Sequence, residues 1–126
     1  MSGNRYLLDT NFIIGILKSN QLVLAEVLAR QILVGECAYS AISQMELLSF
    51  SGIAKEEESL IREKLFQLTY LPLTSAVEDM AILLRQIRIV KLPDAIIAAT
   101  ALTFSLELLT LDKRLLAIVQ AGAKLA

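Results

Sequence analysis

Apolar segments of two kinds alternate along this chain, and that alternation constrains its fold more than any other feature. Short runs ending in polar turns, at 5–9, 36–42, 70–73 and 106–111, predict strands. The longer segments between them carry apolar residues at helical spacing and predict helices over 11–18, 20–30, 43–50, 55–69, 75–89, 94–104 and 113–120. Strands alternating with helices build an α/β fold around a mainly parallel sheet. Ser43-Gln44-Met45-Glu46 and Ser75-Ala76-Val77-Glu78 have the capping-box pattern. Gly122 is expected to stop the last helix, with Lys124-Leu125 as a short edge strand. No repeat, linker or second domain interrupts the pattern, so residues 1–126 are expected to form one domain with a sizeable core.

Hydrophobic residues make up 56% of the chain, above the usual range for soluble domains. The excess is either thoroughly buried or covered by a partner. No apolar run approaches the ~18 residues of a membrane span. The longest, Ala95 to Leu106, is closed off by Asp94 and Glu107. With no signal-peptide pattern at the N-terminus, a cytoplasmic location without membrane attachment is expected.

The chain has one cysteine, Cys37, and no histidine. It can form neither an intrachain disulfide nor a Cys–His nucleophile pair. Any metal must be held by oxygen, which points to a hard ion such as Mg2+ or Mn2+. The net charge of −1 excludes a strongly basic nucleic-acid binder, so nucleic acid would be met through a local basic patch or a metal.

Three of the four aspartates, Asp9, Asp94 and Asp112, stand where an apolar helix begins, and Glu46 stands at a fourth such boundary. Asp9, Glu46 and Asp112 each follow a strand, and parallel strands open their carboxyl ends on one edge. Those three should converge; strand order alone does not bring Asp94 to them. Each acid could instead simply cap or complement a helix. Capping leaves unexplained why carboxylates adjoin such apolar helices, since a carboxylate there is costly unless paired or bound to metal. Clustered carboxylates also repel one another, and a divalent cation relieves that repulsion. Thr10, Asn11, Ser43 and Thr110 adjoin the acids and can either orient carboxylates and waters or cap turns.

Four segments, in order, resemble the motifs of PIN-domain nucleases. They are Leu7-Leu8-Asp9-Thr10-Asn11, Ser43-Gln44-Met45-Glu46-Leu47, Lys91 to Ala101 with Leu92-Pro93-Asp94-Ala95, and Leu109-Thr110-Leu111-Asp112. The likeness spans nearly the whole chain and is closest to the VapC toxins of toxin–antitoxin pairs. It implies a three-layer PIN-like fold: a twisted, mainly parallel sheet of about five strands with helices on both faces. It also implies that Asp94 joins Asp9, Glu46 and Asp112 at one Mg2+ or Mn2+ site, with Asp112 the least secure ligand. Finally, it implies ribonuclease activity, a small cognate antitoxin and a homodimer.

Arg85, Arg88, Lys91, Lys113 and Arg114 lie near these motifs and could contact RNA phosphates, or serve as ordinary helix-end cations. Two other functions are open. One is a PIN-like binding module that has lost most activity. The other is an Asp-dependent phosphatase or phospho-acceptor domain. The phosphatase pattern has a second Asp two residues after the first, where this chain has Asn11, and receiver domains pair adjacent acids, which are absent here.

Overall fold

The computed structural model describes residues 3–125; Met1, Ser2 and Ala126, at the ends of the expected domain, lie outside the described residues. The chain runs β1 (Tyr6–Leu8), α1 (Thr10–Leu17), α2 (Gln21–Ala29), β2 (Cys37–Ser40), α3 (Ala41–Leu48), α4 (Lys55–Phe66), β3 (Thr69–Leu71), α5 (Ser75–Ile87), α6 (Leu92–Thr103), β4 (Glu107–Leu109) and α7 (Lys113–Ala123). A 3-10 turn, Val34–Glu36, leads into β2. The strands form one parallel sheet in the order β3-β2-β1-β4. Register sets Leu7 beside both Ala38 and Leu108. It also sets Tyr39 beside Tyr70, with their rings 5.5 Å apart.

Period-two alternation sends successive strand residues to opposite faces, and each face has its own core. Leu7, Ala38 and Leu108 pack with Val77, Ala81 and Leu84 of α5, Ile97 of α6 and Leu115 of α7. Tyr6, Leu8, Cys37, Tyr39 and Leu109 pack with Phe12 and Ile13 of α1, Val23 of α2, Leu47 of α3 and Leu65 of α4. Helices therefore cover both faces, as the α/β reading requires. The apolar helix α6 is buried along Ala95 to Ala101.

Side-chain caps start most of the helices. Asn20 accepts from the N–H groups of Leu22 and Val23, Ser40 from that of Ser43, and Thr74 from that of Val77. Helices α1 and α2 meet at a 99° bend where Gly15 touches Val23; a Cβ at Gly15 would lie 2.5 Å from Val23 Cγ2. Among the described residues, no single helix is long and apolar enough to cross a membrane.

Several sequence expectations are corrected. The sheet has four strands among the described residues, not about five: α7 continues to Ala123, and Lys124-Leu125 forms a turn. Gly122 does not stop that helix. It lies inside it, where a Cβ would come within 2.4 Å of Leu102 Cδ1, so its small size serves packing. Ser40, three positions before the serine of the first capping-box pattern, caps α3 in place of Ser43, while Thr74, next to Ser75 and itself a cap candidate in the sequence, caps α5. Helix α6 starts at Leu92 rather than Asp94, with Pro93 in its first turn, where the missing N–H costs nothing.

Candidate functional site

The chain lays down β1, β2 and β3 toward one sheet edge, then returns to place β4 on the other side of β1. Ligand crevices form at such a switch point, outside the strand carboxyl ends. Asp9 follows β1 and Thr110 to Asp112 follow β4, so the two segments flank the switch.

Asp9 is 5% exposed. Its Oδ1 accepts from the Phe12 N–H at 2.7 Å, capping α1, and its Oδ2 accepts from the Thr110 hydroxyl. Thr110 Oγ1 in turn accepts from the Asp112 N–H at 3.0 Å, which leaves its proton for Asp9. Burial pushes the Asp9 carboxyl above its usual range. The bonds from Thr110 and Phe12 partly offset this, and the charges of Asp112 and Asp94 push it further up. Among the described residues no cationic side chain pairs with Asp9.

Asp94 sits in the first turn of α6, and Asp112 caps α7 by accepting from the Arg114 N–H at 2.9 Å. Together they line a cleft of about 420 Å³. Arg85, Lys91 and Arg114 share that cleft, with Arg114 Nε 3.7 Å from Asp112 Oδ1. Ile89, Val90, Leu115 and Ile118 give the cleft an apolar side that the sequence reading did not single out. Nothing in their local pattern separates them from ordinary core and loop residues.

Glu46 is held differently. Its Oε1 accepts from Thr10 Oγ1 at 2.6 Å, and Thr10 Oγ1 lies 2.9 Å from Ser43 Oγ. Because Thr10 has one proton and donates it to Glu46, the fully buried Ser43 donates to Thr10. Ser43 is therefore an anchor for Thr10, not the cap of α3. Glu46 also lines a groove with Ile14, Leu17 and Phe50, apart from the Asp94–Asp112 cleft. Asn11 is exposed in the first turn of α1, Arg88 is exposed at the end of α5, and Lys113 lines a separate cleft with Arg30 and Glu107.

Three aspartates thus gather at the switch point, and Glu46 is tied to the residue next to Asp9. Among the described residues no three acidic side chains are placed to hold a metal ion together. Charge and donor type still fit a hard divalent cation. The donors are all oxygen, one carboxylate is buried within electrostatic reach of two others, and among the described residues no cationic side chain pairs with it.

Residues 6–120 match the PIN domain family. The chain is similar in structure to a toxin–antitoxin complex from Klebsiella pneumoniae, with a TM-score of 0.75 and 30% identity over 89% of this chain and 90% of that chain. FitAcB from Neisseria gonorrhoeae shares the fold, with a TM-score of 0.71 and 22% identity over 91% of this chain and 93% of that chain. So does VapBC2 from Rickettsia felis bound to a DNA fragment from their promoter, with a TM-score of 0.67 and 21% identity over 90% and 92%. No curated protein matches the chain. With its four acidic motifs in order and its match running from β1 into α7, the chain belongs to the PIN-domain family of nucleases and is similar to the Klebsiella toxin–antitoxin structure.

Proposed function

We propose that this protein is a divalent-metal-dependent endoribonuclease, the toxin of a VapBC-type pair. The observation that carries this reading is Asp9, a buried carboxylate whose charged form Asp94 and Asp112 further disfavour and which, among the described residues, pairs with no cationic side chain. Asp9, Asp94, Glu46 and Asp112 would hold Mg2+ or Mn2+. The bound ion supplies activated water and stabilises charge on the scissile phosphodiester.

The chain's own residues do the positioning. The Phe12 N–H and Thr110 hydroxyl fix the two Asp9 oxygens, and Thr10, anchored by Ser43, fixes Glu46. Lys91 and Arg114 rim the acidic cleft and would hold RNA phosphates. Arg88 and Lys113 lie off that cleft and would act only on a longer RNA path.

The Klebsiella relative is a toxin–antitoxin complex, and the same arrangement here would pair this chain with a small cognate antitoxin in the cytoplasm. The toxin would itself be a homodimer. The test is brief expression followed by sequencing of RNA ends, beside the Asp9→Asn variant and co-expression with a small reading frame adjacent in the source genome. New RNA ends and slowed growth with the wild type alone are expected. RNA ends unchanged by the wild type would contradict the nuclease reading.

A further inference from the structure

The cleft that Asp94 and Asp112 line is not polar throughout. Ile89, on the loop between α5 and α6, lines it together with Leu115 and Ile118 of α7. Along α7, Leu115 lies roughly 4.5 Å from Asp112 and Ile118 roughly 9 Å from it. The apolar lining therefore begins within one helical turn of the acid. Leu115 and Ile118 are buried, whereas Ile89 is fully exposed.

A lone exposed isoleucine is ordinary on a protein surface, but this one is held in place. Its neighbour Val90 packs against the core that α5, α6 and α7 share. The Arg88 N–H donates to the Leu84 carbonyl at 3.0 Å and closes α5, while the Lys91 carbonyl accepts from the Ala95 N–H at 2.9 Å and opens α6. Between them, the Nε of Arg85 donates to the Val90 carbonyl at 3.2 Å. Both ends and the middle of the loop are thus tied, and Ile89 is left in solvent at the acidic cleft. An RNA strand whose phosphates meet Lys91 and Arg114 carries its bases beside that cleft. An unpaired base offers a flat face that stacks on protein side chains. None of the side chains lining the cleft is aromatic, so the surface that meets such a face is aliphatic.

We propose that Ile89, together with Leu115 and Ile118, forms a nucleobase subsite that takes one unpaired base next to the scissile phosphate. A purine, with the larger ring face, fits it better than a pyrimidine. The inference rests on the ribonuclease reading above and adds a residue that sets which RNA is cut. Ile89 binds substrate and has no part in activating water.

Mn2+-dependent cleavage of a randomised single-stranded RNA pool by the full chain, with the new ends sequenced, tests this. One position flanking the cut should be enriched in purines; Ile89→Ser should level that enrichment and Ile89→Phe should sharpen it. In an oligonucleotide with the preferred site, an abasic ribose at that position should lower the wild-type kcat/KM about fivefold, the lower end of what one stacked base contributes. The loss should fall on KM rather than kcat, and Ile89→Ser should be nearly indifferent to the abasic change. Mn2+ affinity, measured by calorimetry, should be the same in the Ser variant as in the wild type; a weakened affinity would mean that Ile89 supports the acids and would overturn the subsite. A cut pattern that both Ile89 variants leave unaltered, or an equal abasic penalty in wild type and Ile89→Ser, would overturn the subsite alone and leave the nuclease reading standing. A wild-type chain that cuts nothing in the pool with Mn2+ present would overturn the nuclease reading and the subsite with it.

Discussion

Thr110 donates its hydroxyl to Asp9, a residue 101 positions earlier in the chain. Only the pairing of β4 with β1 makes that contact possible, through the register of Leu8 with Leu109. The bond fixes one oxygen of the most buried acid, and the Asp112 N–H fixes the direction of the donor.

Replacing Thr110 with Val keeps the shape and removes the donor. Asp9 then loses one of two bonds that favour its charged form. Groups that orient a metal ligand typically contribute 10- to 100-fold in affinity, and a loss of about that size is expected for Mn2+ measured by calorimetry. Thr110→Ser should recover most of it. Unchanged Mn2+ affinity in the Val variant would show that Thr110 does not position a ligand.

The raised Asp9 pKa makes a stability prediction of definite sign. Its folded value lies above the 3.8 of an ordinary Asp, so the folded state holds the proton more tightly than the unfolded one. The destabilisation is fully present above the folded pKa and fades as pH falls through it toward 3.8. Asp9→Asn should therefore raise the Tm of the metal-free protein at neutral pH, and the gain should shrink on acidification. Thermal scans with chelator at several pH values measure this; a gain that grows toward acid pH would contradict it.

Most of the fold was legible in the sequence because its signals are local. Apolar runs closed by polar turns marked all four strands found among the described residues. Errors came where tertiary packing outweighs local preference. Gly122 reads as a helix stop, but Leu102 and Leu84 need the space its missing Cβ leaves inside α7. Ser43 reads as a cap, but Ser40, three residues earlier, fits the same role and frees Ser43 to anchor Thr10. At the site, Asp9 and Asp112 could be located from strand ends. The approach of Asp94 and the tie from Thr110 to Asp9 depend on contacts far apart in sequence, which no local pattern encodes.

Cys37 should be inert in the native protein. It is buried on β2, its Sγ donates to the Leu33 carbonyl, and burial pushes its pKa up to about 11. At neutral pH only roughly one thiol in ten thousand would be thiolate, the reactive form. Labelling by a thiol reagent should be negligible without denaturant and complete once the chain unfolds. Rapid native labelling would contradict this placement.

Gly15→Ala should destabilise the protein despite the better helix propensity of Ala, worth about 1 kcal/mol. The added Cβ would meet the stiff Val23 side chain at the α1–α2 crossing, and overpacking of this kind costs about 1–3 kcal/mol. Urea unfolding measures the balance; a variant more stable than wild type would show that the crossing can relax.

The most direct test of the central claim is RNA cleavage by the purified protein with and without Mg2+ or Mn2+, beside Asp9→Asn and Asp94→Asn. Cleavage should require the added ion, stop with EDTA, return when the ion is restored, and fall to near background in both variants while their folded spectra stay unchanged. Undiminished cleavage after exhaustive chelation, or wild-type rates in both variants, would contradict the account.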